Sequence, residues 1–185
     1  VNLTIFVFLV TYMKKLFFIY CFIIFIISCN KDEEKVDEIS GLFINEFLAS
    51  NDACCADENG EYDDWVELYN KTESPIDIGG MYFTDKPDDD DPYKIPDSIP
   101  SKTTIPPGGF LVLWCDKDEE QGVLHLKVKL SADGESVILI DKDRVSIIDS
   151  LTFESQKTDV SMGRDPSNFL QWKTFANPTP GFPNN

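Results

Sequence analysis

The chain has 185 residues, with 33 Asp and Glu against 16 Lys and Arg, and its formal net charge at pH 7 is −17. A surface this acidic repels phosphate backbones, which proteins bind by neutralising them with Lys and Arg, so direct nucleic-acid binding is disfavoured. Beyond the N-terminal segments about 145 residues remain, which is enough for one domain with its own core.

The N-terminal part, 1–27, is uncharged except for a pair of lysines at 14–15, and the run 16–27 holds only Leu, Phe, Ile, Tyr and Cys. A basic start followed by a short apolar run is typical of a signal peptide. A membrane-spanning helix needs roughly 20 apolar residues, and extending this run upstream would bury both lysines. We therefore expect Met13 to be the start and 13–28 to be the signal peptide, with 1–12 an over-extended gene start or a long N-terminal extension.

The apolar run ends in Ile26-Ile27-Ser28-Cys29, which resembles a bacterial lipoprotein box. The resemblance implies that the Cys29 thiol receives a diacylglyceryl group and that cleavage makes Cys29 the new N-terminus. More than one acyl chain makes such an anchor durable, since a single chain holds only marginally. The alternative is that Cys29 is one more apolar residue at the end of a signal-anchor helix.

Residues 29–41 are predicted to be the lipidated cysteine and an acidic tether. The charged residues that open this tether are Lys31, Asp32, Glu33 and Glu34. They resemble the signal that directs lipoproteins of some Gram-negative bacteria to the outer face of the outer membrane. The alternative is an ordinary charged tether, since a segment this polar cannot bury enough surface to fold. We expect an outer-membrane lipoprotein, exposed on the cell surface of a Gram-negative bacterium.

After the tether, apolar residues come in short runs separated by Gly, Pro, Asn and Asp. The runs that predict β-strands are 42–49, 64–70, 81–85, 110–116, 124–130, 136–141 and 145–153. Short strands with turn residues between them predict an all-β sandwich. In the run 124–130 every second residue from Leu124 is apolar, so His125, Lys127 and Lys129 are expected to face water.

Two of these runs contain residues that need a partner or a surface. Asn45 and Glu46 interrupt an apolar run, so one of them is expected to point inward and to be hydrogen-bonded. Trp65 and Tyr69 share one face of the next run. We interpret them as packing residues that cover an open end of the sandwich, with a carbohydrate-stacking platform as the alternative.

Seven segments follow the order found in the bacterial lamin-tail domain: INEFLASND, GEYDDWVELYNKTESPIDIGGMYFTD, TIPPGGFLVLWCD, KLSADGESVILID, DSLTF, TDVSMGRDPSN and NPTPGFPN. The resemblance covers 42–184 and implies an immunoglobulin-like β-sandwich of the lamin-tail type that serves as an interaction module. In nuclear lamins the related domain follows a coiled-coil rod and contacts protein and DNA. This acidic chain has no heptad rod, so the nucleic-acid role does not carry over.

Acidic residues crowd two predicted loops, and carboxylate and amide oxygens are the ligands that calcium prefers. The candidate calcium ligands in the first loop are Asp57, Asn59, Glu61 and Asp63. This loop does not match an EF-hand, because placing Gly60 at the required glycine puts Cys55 and Val66 at ligand positions. The alternative is a pair of solvated acidic loops, and no other cofactor is expected.

Three cysteines lie beyond the tether. Cys115 shares a strand face with Leu111 and Leu113 and is expected to be a buried apolar residue. Cys54 and Cys55 are adjacent in a predicted loop, and outside the cytoplasm one of them can oxidise onto Cys115. Paired cysteines at metal-binding spacing and a histidine partner are both missing, so the sequence contains no zinc motif.

No catalytic residue is predicted. His125 is the only histidine, and neither a nucleophile elbow nor a glycine-rich phosphate loop occurs. We predict a cell-surface lipoprotein that is not an enzyme and that binds or scaffolds a surface protein or polysaccharide. The alternative is a carboxylate-dependent glycan hydrolase, or an accessory subunit of a secreted hydrolase.

Overall fold

The computed structural model describes residues 41–185, which form twelve strands, one short helix and one 3₁₀ turn. The strands are β1 (Leu42–Leu48), β2 (Trp65–Asn70), β3 (Ile76–Asp77), β4 (Tyr82–Thr84), β5 (Tyr93–Lys94), β6 (Thr104–Ile105), β7 (Phe110–Cys115), β8 (His125–Leu126), β9 (Gly134–Ile140), β10 (Ile147–Glu154), β11 (Ser161–Asp165) and β12 (Asn168–Phe175). Helix α1 is Pro100–Thr103, and the 3₁₀ turn is Glu119–Gln121. The predicted all-β class is confirmed.

The strands form a six-stranded sheet in the order β12-β11-β1-β2-β7-β8 and a four-stranded sheet in the order β10-β9-β4-β5. A third sheet holds only β3 and β6. All pairs are antiparallel except β7 with β8. The apolar core lies between the two larger sheets, as the rings of Phe47 on β1 and Phe153 on β10 show by meeting at 4.5 Å between centroids.

A β-bulge at Asn45 decides which residues of β1 enter this core. Ile44 pairs with Leu68 and Glu46 pairs with Glu67, so Asn45 is the extra residue. Strict alternation would send Glu46 into the apolar core; the bulge shifts the phase and sends Phe47 there instead. Asn45 and Glu46 are both buried, whereas only one of them was expected to point inward.

The C-terminal tail covers Glu46 and Glu67 on the outer face of the larger sheet. Glu46 accepts hydrogen bonds from the Thr179 backbone and hydroxyl, and Glu67 accepts one from the Gly181 backbone. Burial raises the pKa of Glu67 to about 8, although hydrogen bonds from Gly181 and Asn45 act in the opposite direction. The predicted lamin-tail motif NPTPGFPN is therefore a cover for two buried carboxyls.

A buried ion pair joins the two sheets at the same bulge. Arg164 on β11 lies 2.6 Å from Asp149 on β10, measured from Nη2 to Oδ2, and both side chains are buried. The Asp149 carboxylate accepts from the Ile44 N–H, and Arg164 Nε donates to the Ile44 carbonyl. The pair thus satisfies both backbone groups of the residue that precedes the bulge.

The run 124–130 departs from its prediction. Only His125–Leu126 forms a strand, and it lies parallel to the end of β7. Lys127 and Lys129 are exposed as predicted, but His125 is fully buried, so the prediction that it faces water is wrong. The physical reason is that the ring stacks beside Trp114 and is hydrogen-bonded to the buried side chain of Asp116.

Several predictions concern residues outside the described range 41–185. They are the signal peptide, Cys29 and the export signal of Lys31, Asp32, Glu33 and Glu34. Within the described range, no helix has the length and apolar character needed to cross a membrane.

Candidate functional site

The loop 51–64 between β1 and β2, hereafter the acidic loop, is ordered by one of its own carboxylates. Asp57 Oδ1 accepts hydrogen bonds from the backbone N–H groups of Asn59 and Glu61, each at 2.8 Å. Burial opposes ionisation of Asp57, but these bonds and one from the Asn59 side chain outweigh it and lower its pKa. Asp57 is therefore an ionised carboxylate held in a fixed orientation.

The acidic loop brings together three of the four predicted calcium ligands. Carboxylate oxygens of Asp57, Glu61 and Asp63 all lie within 4.8 Å of one another. The Asn59 amide instead donates to Asp57 and to Gln121 of the 3₁₀ turn. Burial and the neighbouring carboxylates raise the pKa of Asp63, whose Oδ2 is buried and has no hydrogen-bond partner in the described part of the chain. Calcium binding at this loop stays a prediction.

A second group at the acidic loop contains the histidine. His125 Nδ1 lies 2.5 Å from Oδ2 of Asp116, whose side chain is also buried. His125 Nε2 is buried, has no hydrogen-bond partner among residues 41–185 and lies 3.7 Å from the Glu58 carboxylate. Oxygens of Asp57 and Glu58 and a His125 ring nitrogen lie within 4.8 Å of one another.

The cysteines pair differently from the prediction. Cys54 and Cys55 form a disulfide with each other, and Cys115 is a free, buried thiol. The predicted pairing of either one with Cys115 is absent because the side chains lie on opposite faces of the larger sheet. Cys115 packs in the main core, whereas Cys54 and Cys55 pack against Trp65 and its neighbours outside it. Burial raises the pKa of the Cys115 thiol well above its usual value.

Trp65 and Tyr69 lie in different surroundings. Trp65 is fully buried, so it is a packing residue and cannot stack on a ligand. Tyr69 is half-buried and stacks on Phe110 with 4.7 Å between ring centroids, next to Phe169. A shallow apolar cleft opens beside these rings. The carbohydrate-stacking alternative therefore applies to Tyr69 and Phe110 rather than to Trp65.

A larger cleft of about 580 Å³ lies between β4, β5 and the segment around β8. Five of the chain's 16 basic residues line it, namely Lys86, Lys94, Lys117, Lys127 and Arg144, and we call it the cationic cleft. Only three acidic residues line it, so its formal charge is 5 − 3 = +2 in a chain of −17. Within the described part of the chain, Lys117 and Lys127 form no ion pair. Sequence reasoning missed this cleft because its basic residues are spread from position 86 to position 144 of a strongly acidic chain.

The two larger sheets, the bulged first strand and the covering tail define an immunoglobulin-like β-sandwich. The Lamin Tail Domain family model matches residues 36–155, more than half of the chain, so this chain belongs to that family. The family is one of non-catalytic, immunoglobulin-like domains. Comparisons with curated proteins and with solved structures found no match. Strands β11 and β12 follow the matched range, yet β11 pairs directly with β1.

Proposed function

We propose that the protein is a bacterial cell-surface lipoprotein whose lamin-tail domain binds an acidic surface polysaccharide and performs no catalysis. The cationic cleft carries this proposal. It concentrates basic groups in a strongly acidic chain, and the half-buried side chains of Tyr82 and Tyr93 also line it. Cations with neighbouring aromatic rings suit a polymer of uronic acids, which offers carboxylates and apolar sugar faces.

The lipoprotein part of the proposal is supported by the box that ends at Cys29 and by the charged residues after it. An anchored domain on a tether would hold the cationic cleft near the polysaccharides of the envelope. A surface protein with an acidic patch is the competing partner.

Anchoring is tested by replacing Cys29 with Ser, because a hydroxyl cannot replace the thiol in acyl attachment. We expect the variant to incorporate no labelled fatty acid and to accumulate as the uncleaved precursor. The matched control is Cys21→Ser, inside the apolar run, which should label like the wild-type chain. Equal labelling of the Cys29 and Cys21 variants would overturn the anchor.

The export signal is tested by adding protease to the same intact cells. Wild-type cells should lose the domain, and cells whose Lys31, Asp32, Glu33 and Glu34 are replaced by Ala should retain it while still being acylated. Unchanged protease sensitivity in that variant would contradict the export signal and leave the anchor standing.

Binding is tested with the full chain in detergent, using polygalacturonate as the acidic probe and dextran as the neutral one. We expect binding to polygalacturonate only, weakened by added salt because the contacts are ionic. Replacing both Lys117 and Lys127 with Gln should weaken it about tenfold, which corresponds to about 1.4 kcal/mol. Lys157→Gln, an exposed lysine outside the cleft, should bind like wild type.

The rival function is a carboxylate-dependent glycan hydrolase. It is favoured by Asp57 and Asp63, two neighbouring carboxyls whose pKa values are shifted in opposite directions, as in an acid and base pair. Release of reducing ends from either polysaccharide, lost on Asp63→Asn, would make the hydrolase the leading function. Binding without release would support the interaction module.

A further inference from the structure

The buried imidazole of His125 is oriented by one carboxylate and faces others with its second nitrogen. The Asp116 carboxylate can only accept a hydrogen bond, so Nδ1 must donate it. The neutral ring therefore has its proton on Nδ1 and a lone pair on Nε2. That lone pair is fully buried, and no residue that the structure describes donates a hydrogen bond to it. An unpaired acceptor in such a place costs free energy, about 1–3 kcal/mol, unless something binds it.

The groups around Nε2 are acceptors too. Asp57 and Glu58 offer carboxylate oxygens within 4.8 Å of the ring nitrogen, and Asp57 is held ionised by the backbone of its own loop. Acceptors that converge without a donor repel one another, so a cation between them would remove the repulsion. Glu58 is largely exposed, so its side chain can rotate the remaining distance toward Nε2 at little cost.

This arrangement is the one in which proteins hold a metal ion through histidine. A metal-binding histidine usually donates its other ring N–H to a carboxylate, which fixes the tautomer and makes the metal-binding nitrogen more basic. Asp116 meets this requirement. An imidazole nitrogen together with carboxylate oxygens suits zinc and its first-row neighbours, whereas calcium takes oxygen ligands alone.

We propose that His125 Nε2, Asp57 and Glu58 bind a divalent transition-metal ion of the zinc class, with Asp116 orienting the imidazole. The ion would join the acidic loop to β8, because Asp57 and Glu58 come from the loop and His125 from the strand. This proposal does not depend on the proposed lipoprotein function. It competes with the predicted calcium site, because both use Asp57.

The experiment uses the full chain in detergent, produced without a histidine tag and kept without reductant so that the Cys54–Cys55 disulfide stays closed. Zinc, calcium and magnesium are titrated separately by calorimetry. Because His125 is the only histidine, ¹⁵N-histidine labelling reports this one ring. We expect one zinc ion to bind at least about tenfold more tightly than calcium and to shift the Nε2 resonance. Calcium should leave that resonance unchanged.

Glu58→Gln is the main variant, since this exposed side chain is not needed for folding. We expect it to weaken zinc binding at least about tenfold, and Asp116→Asn to weaken it about 10- to 100-fold through the orientation of the ring. Glu73→Gln removes the same charge beyond the opposite end of β2 and should bind zinc like wild type.

Absence of saturable zinc binding would overturn the proposal. So would zinc binding that Glu58→Gln leaves unchanged, or that does not move the Nε2 resonance. Calcium binding that is tighter than zinc binding, with an unmoved histidine resonance, would overturn it in favour of the oxygen-only site. An Nε2 that already carries a proton near pH 7 and ignores zinc would instead show an imidazolium paired with Asp116 and Glu58.

Discussion

Replacing Arg164 with Met should lower the free energy of unfolding by about 3–5 kcal/mol, measured by urea denaturation of the full chain in detergent. The substitution leaves the Asp149 carboxylate buried without its cation. It also removes the donors to the Ile44 and Phe169 carbonyls. Methionine keeps most of the side-chain volume, so the loss reports charge and hydrogen bonding rather than a cavity.

The other arginine of the chain is a matched control. Arg144 pairs with Asp91 at 3.2 Å, but both side chains are well exposed, and Asp91 is 98% exposed. Arg144→Met should therefore change the free energy of unfolding by less than about 1 kcal/mol. If Arg164→Met lowers the free energy of unfolding no more than Arg144→Met does, the ion pair of Arg164 and Asp149 does not stabilise the contact between the two sheets.

A double variant separates the charge from the hydrogen bonds. Asp149→Leu together with Arg164→Met removes both buried charges, so it should cost less than the sum of the two single variants. The double variant should still lower the free energy of unfolding, because the N–H and carbonyl of Ile44 lose their partners. Additive effects of the two single variants would contradict a direct coupling between the residues.

The apolar runs predict most of the sandwich because their alternation follows from the two-sided environment of a strand. Each of the seven predicted runs overlaps a strand of the structure. Strands β11 and β12 were not predicted as strands, although all of β11 lies in a recognised motif. In β11 the buried positions are Ser161, Gly163 and Arg164. These residues contact polar groups on β1 and carry no hydrophobic signal.

The need for glycine at position 163 also depends on polar groups that are distant in the sequence. A Cβ atom on this residue would lie 2.7 Å from the Asn184 amide and 3.1 Å from the Asn45 carbonyl. The close approach depends on the tail lying across the bulge, and that contact joins residues 139 positions apart. No local pattern in the sequence indicates it.

The acidic loop was recognised from its composition, whereas the role of His125 depends on tertiary structure. Asp57, Glu61 and Asp63 are close in sequence, and a turn brings their carboxylates together. His125 reaches the same loop only because the parallel pairing of β8 with β7 places it beside Trp114. Period-two alternation predicted the opposite orientation, since it assumes one long strand where the chain forms a strand of two residues.

Stability should fall as pH rises from about 4.5 to about 8, because Glu67 holds a proton in the folded chain that the unfolded chain has released. Burial raises the pKa of Glu67 from 4.5 to about 8, so unfolding in this window releases a proton, and rising pH favours unfolding. The loss is fully developed above about pH 8 and amounts to several kcal/mol, about 5 at most. Urea denaturation across this pH range measures it.

Glu67→Gln tests the assignment of that slope to one carboxyl. The amide cannot titrate, but its NH₂ group faces a donor, either the Gly181 N–H or the Asn45 amide, so the variant should lose about 1–3 kcal/mol at pH 5. Above about pH 8, where the wild-type carboxyl is ionised and buried, the variant should equal or exceed wild type in stability. Asp64→Asn is the control, because burial raises the pKa of Asp64 only to about 6 and its removal should flatten the curve only below that pH. A slope between pH 6 and 8 that survives Glu67→Gln would show that another group holds the proton, and the tail would then cover an ionised Glu67.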